Sequence, residues 1–425
     1  MRIWPTGGLW RHRDFLHLWG AQIISAFGSR ITRTALPALA ILTLGASDGE
    51  VAFLGALALL PAVVMGLAAS TFIDRVRRRP LMIGCDIVGA LALLSIPLAA
   101  WAGMLDMLQI YVVAIISGST AILFALADQT LLPDLVGREH LEEGNAKLAT
   151  TDSVAEIGGP ALAGVLIEIL TAPFAILADA LSLLWSALLL GRIRAVETPH
   201  QETGDTGLAA ALAGLKSVWR SPILSALFGA EAIMMFSFGF FAALYMLFAL
   251  RVLGMDIGFV GLIISVGGIG ALLGAVAGPP LVRRIGLGPA IVLFFTLTIG
   301  SSLLIPAATG DDWLSVAFLV TAQLVGDAAA VAYFIQTTTL RQTVTPQAVL
   351  GRVNAALLTM HGLVLMVGAL IAAPLAEAIG IRATVWTGIS LGFIGLLPLL
   401  LSPVSRLRSL GELQPSAPAT LPSAG

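Results

Sequence analysis

Charge is scarce in this sequence, and its scarcity excludes whole classes of protein. Only 11% of the 425 residues are charged and 58% are hydrophobic, whereas water-soluble domains carry about 25% charged residues. The net charge of −2 gives no sign of a nucleic-acid partner. Mean hydropathy is +0.96. The composition therefore predicts an all-α membrane protein that crosses the lipid bilayer many times.

Lysine and cysteine are nearly absent as well. The two lysines, Lys147 and Lys216, do not follow the glycine pattern of a phosphate-binding loop, so no nucleotide-hydrolysing motor is predicted. The one cysteine, Cys85, cannot form an internal disulfide. We find no pattern that predicts a catalytic residue, a metal site or a cofactor, and therefore do not expect an enzyme.

What the sequence has instead is long apolar runs. Each is long enough to cross a hydrocarbon core of ~30 Å at ~1.5 Å per residue. We predict twelve spans, at 16–44, 51–73, 81–102, 107–132, 142–170, 173–191, 223–250, 257–282, 288–308, 313–339, 353–378 and 382–402. Basic residues concentrate on the side of the two termini, so both termini are expected in the cytoplasm. Of the 23 Lys and Arg residues, those that fall elsewhere are Arg30, Arg33, Arg251 and Arg382.

One polar stretch divides the spans into six and six. Residues 192–222 form a predicted cytoplasmic linker, with an amphipathic surface helix at 208–219. It separates an N-terminal six-helix bundle at 1–191 from a C-terminal six-helix bundle at 223–402. The tail at 403–425 is expected to be disordered, since its end is rich in proline, alanine and serine.

The two bundles repeat each other at an offset of 209 residues. The segment 145–150, Asn-Ala-x-Leu-x-Thr, recurs at 354–359. One ungapped offset that holds from the first span of each bundle to the fifth indicates duplication, with two pseudo-symmetric halves. Further matches at the same offset are Pro80 with Pro289, Gly159 with Gly368 and Glu168 with Glu377.

A compact basic turn between the second and third spans reads Asp-Arg-x-x-Arg-Arg, with Asp74, Arg75, Arg78 and Arg79. It resembles motif A of the major facilitator superfamily, although Ser70 replaces the usual leading glycine. The resemblance implies two six-helix bundles and an inner-gate latch whose arginines hold carboxylates across the halves. On the alternative interpretation, these arginines only set the topology.

The fifth span contains a second motif, built from Gly158, Gly159, Pro160 and Gly164. It resembles motif C of the exporter branches of the superfamily, and implies a close contact between the two halves. Small residues let helices approach and proline bends a helix, so generic helix packing is the alternative. Segments that resemble the bacterial drug:proton antiporter branch, with its macrolide and enterobactin exporters, are 35–37, 172–173, 179–182 and 350–354.

Ionisable residues inside apolar runs are costly and therefore mark function. Arg30 and Arg33 lie in the first span, Glu156 in the fifth, Asp179 in the sixth and Asp327 in the tenth. Arg30, Glu156 and Asp179 lie at similar depth, so an arginine can pair with either acid. The alternative to a functional role for these charges is a purely structural ion pair. A lone buried carboxylate can carry a proton, and we expect Glu156 to do so because no basic residue lies within one turn of it.

Further polar and aromatic residues are candidates for the substrate cavity. The first span has a polar face, and the seventh has a run of methionine and phenylalanine that either lines an adaptable pocket or faces lipid. The histidine of the eleventh span either exchanges protons or is only hydrogen-bonded. The cavity candidates are Gln22, Ser25, Ser29, Glu231, Phe236 and His361.

Together these features predict a monomeric exporter in a bacterial cytoplasmic membrane. It would extrude small amphipathic molecules in exchange for protons by alternating access. A dedicated siderophore or metabolite exporter is an alternative, because a bulky anion would suit Arg30 and Arg33, whereas cationic drugs would suit Glu156, Glu231 and Asp327. A non-transporting sensor or scaffold on the same fold is a further alternative, against which the motif A residues argue.

Overall fold

The computed structural model describes residues 8–73, 77–137, 140–194 and 215–413. Within these ranges the chain is helical and contains no strand, which confirms the all-α prediction. Ten of its helices, counted over the described residues, are long and apolar enough to cross a membrane. The twelve main helices are α1 Arg13–Leu42, α2 Asp48–Ile73, α3 Arg78–Trp101, α4 Met107–Val136, α5 Leu141–Leu170, α6 Ala172–Gly191, α7 Pro222–Leu247, α8 Ile257–Ile285, α9 Leu287–Ser302, α10 Trp313–Val344, α11 Gln347–Ile379 and α12 Ile381–Gly392.

Short segments extend three of these helices. A π-helical turn, Phe248–Val252, follows α7, and the turn Leu304–Ala307 continues α9. The helix Leu396–Leu401 continues α12. The twelve predicted spans therefore correspond to twelve helices.

The helices pack in the same way in both halves. In the first half α1 packs on α5 and α6, and α3 packs on α4 and α6. In the second half α7 packs on α11 and α12, and α9 packs on α10. Contact between the halves runs along two seams, α5 with α8 and α2 with α11. We call the face that holds the beginning of α1 and the end of α6 the terminal face, and the other the opposite face.

A tight turn on the opposite face shows the repeat at the level of the backbone. Thr171, between α5 and α6, has φ 71°, and Gly380, between α11 and α12, has φ 84°. The two positions are related by the repeat offset. Glycine adopts this left-handed conformation freely, whereas threonine is strained there. The first half therefore keeps the turn even without the residue that favours it.

Of the segments outside the bundles, the linker is only partly described and the tail differs from expectation. Only 215–219 of the predicted linker helix lie in the described part of the chain, and they are helical. The beginning of the tail is ordered, because it packs on the first turn of α9. Leu287 and Gly288 donate their backbone N–H groups to the carbonyls of Arg408 and Leu407, at 3.1 and 2.7 Å.

Candidate functional site

A charged cluster joins α1 to α5 in the middle of the first half. The Nε of Arg30 lies 2.5 Å from Oε2 of Glu156, and an Nη of Arg33 lies 2.5 Å from its Oε1. Arg30 also reaches the hydroxyl of Ser29 at 3.4 Å. Both oxygens of the predicted proton carrier are thus occupied by guanidinium groups. The three side chains leave one surplus positive charge.

Asp327 on α10 faces this cluster from the second half. Its carboxylate lies close enough to Glu156 and to the hydroxyl of Tyr245 for electrostatic interaction. Gly267 of α8 packs against one of its oxygens, at a point where a Cβ would overlap it. In the described part of the chain, Asp327 forms no ion pair and no side-chain hydrogen bond. Among the described residues, it is therefore a membrane carboxylate with no cation paired directly against it.

Asp179 has a different environment from the one predicted. It is 3% exposed and accepts hydrogen bonds from the hydroxyls of Thr32, at 2.5 Å, and Ser182, at 3.1 Å. The predicted pairing with an arginine is not formed, because α6 turns Asp179 toward Gly28 and Thr32 of α1 rather than toward Arg30.

Nearer the terminal face, polar side chains occupy equivalent positions in the two halves. Gln22 of α1 lies near enough to Asp128 of α4 for its side chain to interact with that carboxyl group. Its repeat partner Glu231, on α7, is 1% exposed and lies 3.2 Å from Nε2 of His361. Arg341 of α10 approaches the same carboxylate at 3.9 Å. Two predicted cavity residues, Glu231 and His361, are thus brought together.

Of the remaining predicted cavity residues, Ser29 contacts the charged cluster through Arg30, and no contact of Ser25 or Phe236 with these clusters is seen among the described residues. Ser25 is half-buried, and Ser29 donates its hydroxyl to the carbonyl of Ala26 at 3.0 Å. Phe236 is packed edge-on against the buried Phe240, with ring centroids 5.4 Å apart. Phe238, on another side of α7, is exposed. The aromatic run of α7 is therefore divided between the protein core and the surface.

The Gly-Pro motif of α5 contacts two different helices. Gly158 packs on Phe27 and Gly159 on the Cβ and Cγ of Arg30, both within the first half. The expectation that Gly159 lies between the halves is therefore corrected. Its neighbours do meet α8, since Pro160 packs on Gly261 and Gly164 lies against Gly258. The hydroxyl of Ser265 on α8 accepts a hydrogen bond from the N–H of Ala161 at 3.0 Å.

The motif A turn is only partly within the described residues. Asp74 and Arg75 lie outside them. Arg78 is buried at the beginning of α3. The guanidinium of Arg79 donates to the last carbonyls of α6, Leu190 at 2.8 Å and Gly191 at 2.5 Å. A cation at a helix C-terminus is stabilised by the helix dipole, so Arg79 ties α3 to α6.

On the opposite face, two glutamates at equivalent positions cross between the halves. Glu168, near the end of α5, accepts the N–H of Gly258 in the first turn of α8 at 3.2 Å. Glu377, near the end of α11, lies against Gly49 in the first turn of α2. Both the glutamates and the glycines are related by the repeat offset. Each carboxylate meets the positive end of a helix, and each glycine leaves it room.

Another contact closes the same face. Arg251, which follows α7, forms an ion pair with Asp48 at the beginning of α2 and donates a hydrogen bond to the carbonyl of Ala46.

Along the α5–α8 seam, contact continues inward as far as Ile157 and Gly268. Closer to the terminal face, Asp152 and Val154 of α5 are exposed. The halves are thus in contact from the opposite face to mid-depth and separate beyond it along this seam.

Several of these residues did not stand out in the sequence. Asp128 and the buried Asp86 are membrane acids like Asp327, and their position in apolar runs could have marked them as candidate functional residues. Glu168 and Glu377 were visible only as a repeat match, because their glycine partners are distant in sequence. No group of His, Cys, Asp or Glu suited to a metal occurs among the residues whose placement is described.

The comparison with known families agrees with this architecture. The model of the Major Facilitator Superfamily matches residues 18–357. The chain belongs to the major facilitator superfamily. The predicted family and fold are confirmed, and the protein is a multi-pass membrane transporter rather than an enzyme.

Relatives and solved structures extend this result. A protein of Mycolicibacterium fortuitum named multidrug efflux pump Tap is 25% identical over 383 residues, which is 86% of this chain and 89% of that protein. A mutant of the nucleoside transporter NupG has a TM-score of 0.76 at 12% identity, covering 91% of this chain and 99% of that one. A bacterial homologue of the iron transporter ferroportin, in its inward-facing state, has a TM-score of 0.71 at 18% identity, covering 92% of this chain and 98% of that one. At identities this low, the solved structures support the fold alone.

Proposed function

We propose that this chain is a secondary active exporter of small amphipathic molecules, driven by proton antiport through alternating access and acting as a monomer. The α5–α8 seam carries this proposal. It is closed from Glu168 and Gly258 to Ile157 and Gly268, then opens toward the terminal face. The cluster of Glu156, with Arg30 and Arg33, lies beside the point where the seam opens. A change of charge there can act on the contact between the halves.

The orientation follows from the distribution of positive charge. Arg79, Arg192 and Arg194 lie on the terminal face, as do the basic residues at the ends of α8 and α10. Short loops rich in arginine stay in the cytoplasm. The terminal face is therefore the cytoplasmic one, and the open side of the molecule is the side from which an exporter takes up its substrate.

The direction of transport and the class of substrate rest on two observations. The relative named multidrug efflux pump Tap matches most of the chain. The Gly-Pro motif of α5 packs on α8 through Pro160 and Gly164, as the exporter-like motif implies. A bulky anionic siderophore has less support, because Glu156 neutralises one of the two arginines that would attract it.

Asp327, rather than Glu156, is the proton carrier in this proposal. Glu156 is held by two guanidinium groups, whereas Asp327 has no cation against it within the described residues. With Asp327 ionised, the four charges of Arg30, Arg33, Glu156 and Asp327 sum to zero. Protonation of Asp327 removes its repulsion with Glu156 and leaves a surplus positive charge at the seam, so the electrostatic interaction between the halves changes. Proton binding thereby changes the balance between the two access states.

The test is a substrate screen in bacteria that lack their own drug efflux pumps, followed by transport assays in inside-out vesicles. We expect uphill accumulation of cationic amphipathic drugs in the vesicles, abolished by a proton uncoupler. Asp327→Asn should lose uphill transport and retain downhill exchange. Asp311→Asn is the matched control, because Asp311 is an exposed acid just before α10.

Two results would refute the proposal. Uphill transport that survives the uncoupler would exclude proton antiport. Uphill transport by Asp327→Asn at the rate of Asp311→Asn would exclude Asp327 as the carrier. A screen in which only an organic acid or metal chelate is exported would favour the dedicated metabolite exporter instead.

A further inference from the structure

A basic cavity of about 700 Å³ opens at the edge of the terminal face, away from the transport cluster. It lies where α1 and α3 begin and α6 ends. Its position is on the outside of the first half, where α3 and α6 carry exposed apolar side chains such as Leu91 and Leu188. The residues that line it are Arg13, Asp14, His17, Arg79, Gly191, Arg192, Ile193 and Arg194.

The cavity carries a large excess of positive charge. Four arginines line it and one acid, Asp14, whose carboxylate accepts the backbone N–H of Arg194 at 3.2 Å. Arg13, Arg192 and Arg194 are exposed, and none of them pairs with a carboxylate in the part of the chain that is described. The guanidinium of Arg79 is held in place by the end of α6. Such a group of donors suits an anion with several oxygens.

An apolar stripe on α6 leads from this cavity into the membrane. Leu181, Trp185 and Leu188 are exposed and lie at helical spacing on one side of the helix, with Arg192 one turn further on. Leu188 is 64% exposed. Tryptophan is favoured near the membrane–water interface, and apolar side chains below a basic site suit acyl chains.

Within the described residues, the second half does not repeat this group of arginines. At the repeat offset, the positions of Arg13, Arg79, Arg192 and Arg194 are held by Pro222, Gly288, Leu401 and Pro403. There the chain covers its own surface, since Gly288 bonds the carbonyl of Leu407 and Val404 is fully buried. The fold therefore does not require an open basic cavity at this place.

We propose that this cavity binds the phosphate headgroup of an anionic membrane lipid, with the acyl chains lying along α6. The headgroup joins the beginning of α1 and α3 to the end of α6, and thereby stabilises the half that contains the motif A arginines. Placement in the cytoplasmic leaflet rests on the orientation proposed above. The binding itself does not, so its test is independent of transport.

The experiment measures thermal unfolding of the purified full chain in detergent while dioleoylphosphatidylglycerol is added. We expect the anionic lipid to raise Tm, dioleoylphosphatidylcholine to have little effect, and native mass spectrometry to retain the anionic lipid. Arg192→Ala with Arg194→Ala should weaken the apparent affinity about 10- to 30-fold. The control, Arg406→Ala with Arg408→Ala, removes equal charge from exposed arginines in the second half and should bind as the wild type does.

Further arms separate the lipid from other anions. Trp185→Ala should weaken lipid binding, whereas sodium phosphate or glycerol 3-phosphate should not replace the lipid at equal concentration. Stabilisation by free phosphate alone would overturn the lipid assignment. Equal shifts with both lipids, or equal affinities in the two arginine double variants, would overturn the site.

A competing occupant is the acidic linker that follows Arg194, with Glu197, Glu202 and Asp205. If neutralising these three acids lowers Tm as much as the loss of Arg192 and Arg194, and the anionic lipid adds nothing, the cavity belongs to the linker and the proposal is wrong.

Discussion

The two halves of this transporter repeat one helix contact with different chemistry. In the first half, Gly159 of α5 packs on Arg30 of α1; in the second, Gly368 of α11 packs on Gly239 of α7. The repeat offset relates both members of the pair. Around this contact the first half is charged and the second is not. Arg30, Arg33, Glu156 and Asp179 correspond to Gly239, Ala242, Leu365 and Gly388.

This difference separates the residues that pack the helices of each bundle from the charged residues that we assign to proton coupling. Small residues set the approach of α1 to α5 and of α7 to α11, and they are present in both halves. The charges around this contact lie on the first half. Asp327 faces them from the second half, and its repeat partner in the first half is Gly118. The charged site is therefore complete only when both halves contribute to it.

The largest effect is expected from a large side chain at the glycine contact that both halves share. Gly368→Leu and Gly159→Leu should each destabilise the fold by about 3 kcal/mol through overpacking. Both substitutions meet atoms that cannot move aside easily, because Gly368→Leu meets the backbone carbonyl of Phe236 and Gly159→Leu meets Cβ and Cγ of Arg30, next to its backbone. Thermal unfolding in detergent measures both.

The control for this pair is Gly84→Leu, since nothing lies within 4 Å of a Cβ built on Gly84. If the two contact variants unfold at the same temperature as this control, the packing account is wrong.

An intermediate effect is expected from making the first half resemble the second. Glu156→Leu alone removes the partner of Arg30 and Arg33, and should destabilise the protein by roughly 2 kcal/mol. The triple variant Arg30→Ala, Arg33→Ala, Glu156→Leu leaves no unpaired charge at these positions and should recover most of that loss, yet remain inactive in uphill transport. If the triple variant transports, the charges are structural only.

The smallest effect is expected at the glutamates of the opposite face. Glu168→Gln and Glu377→Gln should each weaken its closure by about 0.3–1 kcal/mol, since each removes a charge from a helix N-terminus. In a Cys85→Ser background, a maleimide should label Met255→Cys about 2- to 5-fold faster in each variant.

The effects of the two glutamates should combine, because they act on different seams. Asp311→Asn, an exposed acid on the same face, should leave the labelling rate unchanged. A change confined to one of the two glutamates would show that the opposite face does not close symmetrically.

The sequence predicted the twelve helices and the duplication well, because hydropathy and a constant offset do not depend on how a helix is rotated. It predicted the depth of Arg30, Glu156 and Asp179 but not their partners. Which side chain an acid meets depends on the rotation of its helix against the next one, so Asp179 meets Thr32. For the same reason, Gly159 faces α1 while Gly164, little more than one turn further along α5, faces α8.

The central claim is that the proton is carried by Asp327 while Glu156 stays in its ion pair. The most direct measurement is substrate-induced proton release from purified protein in weakly buffered detergent, followed with a pH-sensitive dye. We predict release by the wild type and by a folded Glu156→Gln variant, and none by Asp327→Asn. Release that persists in Asp327→Asn and disappears in Glu156→Gln would contradict the claim and return the role to Glu156.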